Sequence, residues 1–499
     1  MNLGALTAGL SAEPQRPWRR YVVTEAVWRD AGAALADGPL TLLGLWGDAE
    51  SVHLALLDES VPNIAVLSLE CTDGGFPSIG AMHAPAIRLE RSVQDLFGLN
   101  PRGAADRRPW LDHGRWGSSA PLTRRRGAPR EPGYAFLPSE GESLHQIPVG
   151  PVHAGIIEPG HFRFTANGET VVRLEERLGY VHKGVESLMA GASLERGARL
   201  AGRVSGDSAV AYAFAFARAA EAALGVDAPR RAQMLRGLMA ELERLANHFG
   251  DIGAICNDAA FVMMHAHCSV LRERVLRAAD ACFGHRLMRD VIVPGGVARD
   301  IDANGATQLR KAVRDWRRRF RGLITLYDET PSLEDRTVGT GVVKPELVRQ
   351  FGAGGFVGRA SGRAFDVRAA FPYPPYDRFV PQLQVLQEGD VDARVWIRIR
   401  EAEQSMTLIE VMLDNLAEGA LRGDVQAHAG EGMGLVEGFR GDVLVWLRLN
   451  AEGGIARCHL RDPSWMQWPL LEAAIEGNIV GDFPLCNKSF NCSYSGCDL

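Results

Sequence analysis

Leu235, Leu238, Leu242, Leu245 and Phe249 follow one another at steps of three and four residues. That spacing places all five on one side of an α-helix and gives one long buried stripe. Asp227 and Pro229 stand where the helix opens, and proline's fixed φ and missing N–H suit a first turn. Further helical stretches cover Asp207–Leu224, which is alanine-rich, then Phe261–Phe283, Thr307–Tyr327 and Val391–Leu416. These stretches predict a helical bundle as the core of the larger part of the chain.

The first hundred residues read differently. Val22-Val23 and Leu40–Trp46 are apolar and strand-like, and Ile64–Leu69 is another strand candidate. Val52-His53-Leu54-Ala55-Leu56 alternates, which predicts a half-buried strand. Glu90–Phe97 reads as a short helix closed by Gly98. Residues 117–145 lack periodicity and hold clusters of Pro, Gly, Ser and Arg, so they are expected to link two units. Beyond them, Asn167-Gly168 predicts a hairpin between Phe162–Ala166 and Glu169–Leu174. The expected fold class is α+β: a small α/β unit over 1–116, a linker over 117–145, and over 146–499 a mainly helical unit with a small β region.

Charge and cysteine usage narrow the function. Net charge is −6, so nothing suggests nucleic acid as a partner. Arg124-Arg125-Arg126 is too short to argue otherwise. No secretory leader pattern opens the chain. No stretch reaches the roughly 18 uncharged apolar residues of a spanning helix; the best, Ser208–Ala217, is stopped by Asp207 and Arg218, so no direct membrane span is expected. There is no P-loop and no G-x-G-x-x-G, hence no support for direct nucleotide binding. Cys486, Cys492 and Cys497 match no common zinc or iron–sulfur spacing and are expected as packed thiols. His265 and His267 point to different helix faces and read as structural.

Two short stretches carry a family signal. Arg203-Val204-Ser205-Gly206-Asp207-Ser208 resembles the R-x-C-G-x-C motif of [NiFe] hydrogenase large subunits, and Asp462-Pro463-Ser464-Trp465-Met466-Gln467 resembles their D-P-C-x-x-C motif. The four ligand positions read Ser205, Ser208, Ser464 and Gln467. A Ni–Fe centre needs soft thiolates; serine is a hard donor that stays protonated and glutamine is a neutral amide. No Ni–Fe centre is therefore expected, and the metal ligand set is none. Other segments resemble the 49 kDa subunit of respiratory complex I and the large subunits of group 4 membrane-bound hydrogenases. These are Gly179-Tyr180-Val181-His182-Lys183-Gly184-Val185-Glu186, Pro294-Gly295-Gly296-Val297, Gly358–Gly362, Asp366-Val367-Arg368, Pro372-Tyr373, Tyr376-Asp377 and Gly389-Asp390 with Arg394. Glu90–Gly98 resembles the signature of the complex I 30 kDa subunit. The two joined units resemble the layout of the formate hydrogenlyase and hydrogenase-4 large subunits.

The resemblance implies candidate site residues, each with a plainer alternative. Glu186 matches the family's proton-carrying glutamate, and His182, four residues earlier, would share its helix face; the alternative is an ion pair with Lys183 or another neighbour. Arg203 would hold a substrate oxygen or a partner carboxylate, or form a structural salt bridge. Asp462 would orient Arg203 across the cavity or cap the turn at Pro463. Ser205 would cap the following helix with Asp207 in its first turn, or line a polar pocket with Ser208, Ser464 and Gln467. In the complex I subunit a quinone headgroup lies near a tyrosine and a histidine. Gly206 and Pro159 stand at those positions here, with His153 and His161 nearby as candidate contacts, and Tyr212 is expected to face elsewhere.

The functional expectation is a peripheral-arm subunit of a membrane-associated, complex I-like or hydrogenase-4-like oxidoreductase. It would pass electrons toward a quinone or other acceptor, coupled to ion translocation. The alternative is a catalytically silent scaffold; an active [NiFe] hydrogenase comes third. The implied partners are an iron–sulfur small subunit, a ferredoxin-like subunit and complex I-like membrane subunits, which would hold the chain at the cytoplasmic face of the inner membrane. Iron–sulfur clusters would belong to those partners. Any link to NAD would likewise pass through a partner, and this chain itself is expected to bind no cofactor beyond a possible quinone.

Overall fold

The computed structural model describes residues 1–123, 127–153 and 157–499; Arg124-Arg125-Arg126 lies outside them. The fold is α+β. After a one-turn helix at Leu3–Thr7 come two very short strands, β1 (Ala12–Glu13) and β2 (Gln15–Arg16), which part at once. β1 joins a five-stranded sheet with β3 (Arg20–Val23), β4 (Thr41–Gly47), β5 (Ser51–Asp58) and β6 (Asn63–Glu70), in the order β1-β3-β6-β5-β4. Only β3 and β6 run parallel. Helix α1 (Glu25–Ala36) starts at Thr24, whose hydroxyl accepts from the Val27 amide. Helix α2 (Ile87–Phe97) ends at Gly98 with φ +69°, the left-handed cap that glycine accepts without strain.

β5 is buried on both faces rather than half-buried. The face that alternation assigned to solvent carries His53, which lies 5.1 Å from the Trp446 ring of a second sheet. Its Nδ1 is 2.7 Å from Ser68 Oγ. A polar residue here marks a hydrogen-bonded contact between sheets and not a wet face.

The described residues of 117–143 contain no helix or strand, and β7 (Leu144–Val149) begins just inside the expected linker. β8 (His161–Asn167) and β9 (Thr170–Arg177) form the hairpin at Asn167-Gly168, and β7 pairs with β8. The helical core follows with α3 (Val185–Met189), α4 (Leu194–Ala201), α5 (Ala209–Leu224), α6 (Arg230–Asp258), α7 (Val262–Phe283), α8 (Ala303–Asp328) and α9 (Val391–Asp414). The five stripe residues of α6 are fully buried. So, unexpectedly, are Arg236, Arg244, Arg394 and Arg398 on α6 and α9, each held by carbonyls or carboxylates.

A second sheet closes the fold. β10 (Gly430–Glu437), β11 (Asp442–Leu449) and β12 (Ile455–Arg461) are antiparallel, and β2 adds to β10 in parallel, giving the order β12-β11-β10-β2. α5 lies directly on β10. A Cβ at Gly430, Gly432 or Gly434 would come within 2.2, 2.1 and 2.1 Å of the carbonyls of Ala223, Ala219 and Ala215. Glycines two apart on a strand meet alanines four apart on a helix, so backbone approaches backbone. α10 (Ser464–Ala474), α11 (Phe483–Phe490) and α12 (Tyr494–Asp498) complete the chain, and residues 492–499 are buried. No helix among the described residues is long and apolar enough to cross a membrane.

Candidate functional site

The two motif segments, some 250 residues apart in sequence, meet beside the segment 491–499. Residues 203–208 form the turn between α4 and α5, and Asp462-Pro463 joins β12 to α10. Ser493 sits between them. Its hydroxyl is 2.9 Å from Ser205 Oγ, and its amide donates to Ser464 Oγ at 2.9 Å. Gln467 Nε2 donates to the carbonyls of Arg440 at 2.7 Å and Gly354 at 3.2 Å. Ser208 Oγ accepts from Arg440 Nη1 at 3.2 Å. The four positions are thus brought together, and the chain's own residues 440 and 491–493 occupy the space among them.

A nickel centre does not fit this donor set. Four thiolates are needed, whereas three hydroxyls and an amide are present, each already bonded to protein atoms. Among the described residues no group of three or more His, Cys, Asp or Glu side chains is placed to hold a metal ion.

Ser205 does not cap α5. The helix starts four residues later, at Ala209. Ser205 Oγ donates instead to Asp207 Oδ1 at 2.8 Å, and Asp207 forms a two-point ion pair with Arg440. The cap comes from α6: the Glu243 carboxyl accepts from the amides of Val210 at 2.7 Å and Ala211 at 3.0 Å. Burial raises the Asp207 carboxyl, but Arg440 outweighs it and the net direction is down. Burial pushes Glu243 up to about 8, against the pull of its two amides. Beside Ser205, Asp207, Arg440, Lys488, Asn491 and Ser493 lies an open cavity of about 250 Å³.

Glu186 is buried in the first turn of α3. It faces Arg457 Nη2 at 2.8 Å and His459 Nδ1 at 2.8 Å, both on β12. Burial alone would raise its carboxyl; Arg457 and His459 carry it down to about 2. Burial also lowers His459, against the upward pull of Glu186. His182 does not share a helix face with Glu186, because the left-handed Gly184 (φ +66°) turns the chain between them. His182 Nδ1 contacts the Asp498 carbonyl at 2.6 Å. Lys183 Nζ reaches the carbonyls of Val204 and Ser495, not Glu186.

Arg203 lies outside this cluster. It makes a two-point pair with Asp290 at 2.6 and 2.7 Å, with both side chains 42% exposed, which is the structural salt bridge of its plainer alternative. Asp462 consequently does not orient Arg203. One carboxylate oxygen accepts from the Ser464 amide at 2.9 Å, the capping role, and the other from Tyr212 Oη at 2.7 Å. Tyr212 therefore points at the site, contrary to expectation, since α5 begins later than the sequence suggests and turns that face inward. His153 and His161 sit together near Gly150 and Gly160: His153 contacts the Gly160 carbonyl at 2.7 Å and His161 the Gly150 carbonyl at 3.2 Å. Tyr212, Arg440, Arg457, His459 and Ser493 were missed. Arg457 and His459 left a trace: two basic residues two apart on one strand face.

Residues 258–428 match the family model described as the respiratory-chain NADH dehydrogenase 49 Kd subunit. Formate hydrogenlyase subunit 5 of Escherichia coli (strain K12) is 32% identical over 439 residues, 85% of this chain and 77% of that protein. The chain belongs to the complex I 49 kDa subunit family. An NADH-quinone oxidoreductase subunit of Syntrophobacter fumaroxidans is 30% identical over 352 residues, covering 70% of this chain and 94% of that protein. A chain from the membrane-bound sulfane sulfur reductase, an archaeal respiratory membrane complex, superimposes with a TM-score of 0.68 at 25% identity, over 72% of this chain and 99% of that one. The family read from the motifs is the family found. Its 49 kDa-type members include proteins named for hydrogen, formate and quinone chemistry, so family membership fixes an oxidoreductase lineage and leaves the acceptor to the site.

Proposed function

We propose that this chain is a peripheral-arm subunit of a membrane-associated oxidoreductase complex that works without Ni–Fe chemistry. Packed on an iron–sulfur small subunit, with ferredoxin-like and membrane partners, it would sit at the cytoplasmic face of the membrane. The cavity beside Ser205, Asp207 and Arg440 would take a quinone or other acceptor. The observation that carries this reading is Ser493, seated between Ser205 and Ser464 where thiolates face a metal in hydrogenases. The buried contact between the Glu186 carboxylate and the His459 imidazole, 2.8 Å apart, supports a proton-handling role.

A second reading, a silent scaffold, is favoured by the internal hydrogen bonds that all four motif positions make. The intact complex distinguishes the two. Metal analysis should find nickel far below one per chain; stoichiometric nickel would overturn the proposal. Reduction of a water-soluble quinone analogue should fall at least tenfold in Glu186→Gln and stay unchanged in Arg203→Ala. Equal turnover in wild type and Glu186→Gln leaves the scaffold reading standing.

A further inference from the structure

The largest cavity among those described lies away from the motif site. It is an open cleft of about 530 Å³ where β2 reaches across to α5, α6 and β10. Two arginines line it without a carboxylate partner among the described residues. Arg218, on α5, spends one of its five donors on the Leu435 carbonyl at 3.1 Å and lies 4.2 Å over the Tyr373 ring. It has no ion pair among the described residues, and it is half-buried. The side chain of Arg16, at the end of β2, has neither hydrogen bond nor ion pair among them. Arg16 is exposed; its backbone pairs with Gly432, and its guanidinium lies against Gly225, where an added Cβ would come within 2.5 Å of Nη1.

The other charges in the cleft are accounted for. Glu221 is spent on Arg236, at 2.5 and 3.0 Å, and on the Gly295 amide at 2.8 Å. Among the described residues that line the cleft, Asp227 is the one unpaired acid, and it is exposed. Pro374, Met433 and Val226 supply apolar wall beside the two guanidiniums. Burial pushes Arg218 down to about 10, against the upward pull of Tyr373 and of Glu221, whose hydrogen bonds go to Arg236.

We infer that this cleft binds a small organic oxyanion, with a carboxylate or phosphate held between Arg218 and Arg16 and an apolar body against Pro374 and Met433. Planar guanidinium forks suit both oxyanions, and an anion would give Arg218 a direct ion-pair partner. Because Arg16 comes from the N-terminal arm and Arg218 from the helical core, a bound anion would also fasten the arm to the core.

Calorimetric titration of the full chain with benzoate, its neutral counterpart benzamide, and inorganic phosphate tests this. Benzoate or phosphate should bind at least tenfold more tightly than benzamide, and the tighter of the two names the oxyanion. Arg218→Gln should abolish that binding. Arg16→Gln, a surface change that leaves the core intact, should weaken it at least fivefold. The inference fails if benzamide binds as well as benzoate, if neither anion binds, or if Arg16→Gln leaves anion affinity unchanged.

Discussion

Tyr212 Oη donates to Asp462 Oδ2 at 2.7 Å and so ties the helix after the first motif to the turn of the second. Both residues are buried, and Gly496 lies so close over the carboxylate that a Cβ there would fall 2.4 Å from Oδ2. Water has little room to replace the phenol. Tyr212→Phe should lower stability to urea by about 1–3 kcal/mol, the cost of leaving a buried acceptor short of a donor. An unchanged midpoint would mean the carboxylate finds another partner.

The low-lying Glu186 carboxyl makes a pH prediction. Its ordinary pKa of 4.5 falls to about 2 in the fold. The unfolded chain therefore binds the proton first, and the stabilisation is complete above pH 4.5 and lost as pH falls toward 2. Its upper size is on the order of 3 kcal/mol. Glu186→Gln should flatten stability against pH in that window while lowering it at pH 7, since Arg457 is left buried without a counter-charge. Urea midpoints measured from pH 3 to 7 read both effects; parallel profiles for the two proteins would refute the assignment.

Arg440 is buried and joined at two points to Asp207, whose side chain is 32% exposed. Arg440→Met leaves the partly solvated Asp207 carboxylate without its partner and should cost about 1–3 kcal/mol. Asp207→Asn in the same chain should recover part of that loss. A double-mutant cycle gives the coupling, and additive losses would show that the pair is not coupled.

The contact between β10 and α5 leaves no space for a methyl group. Gly432→Ala places a Cβ 2.1 Å from the Ala219 carbonyl and should destabilise by several kcal/mol, beyond the ~1–3 kcal/mol of ordinary overpacking. Gly322→Ala is the contrast: it is exposed within α8, with nothing within 4 Å of the added carbon. It should stabilise by about 0.5–1 kcal/mol through helix propensity. Thermal unfolding of the two variants checks the opposite signs.

The stripe of α6 was legible because Leu and Phe at helical spacing have one way to be buried. The Asn167-Gly168 hairpin was equally plain. The helix ends were read less well. α5 was expected from Asp207, yet that residue is taken by Arg440, which lies far along the chain and has no local signature. The same holds at the site. Ser205, Ser208, Ser464 and Gln467 were found from their motif frame, but what fills the space among them comes from residues 491–493, and no spacing rule links those to position 205. Arg203 forms the structural salt bridge that was its plainer alternative, to Asp290, while His182 was misplaced for a local reason, since Gly184 cuts it off from its helix.

The short strand β2 has a consequence for dissecting the molecule. Gln15 and Arg16 cover the outer edge of β10, Arg20 pairs with Glu431 beside them, and Gln15 accepts from Trp446. A fragment starting at residue 146 would bare the strand edge at Glu431-Gly432, open to pairing with another copy of itself. Supplied separately, residues 1–116 would act as a donated strand as much as a neighbouring unit. Successful reconstitution from two pieces would therefore depend on a handful of residues near the start of the chain.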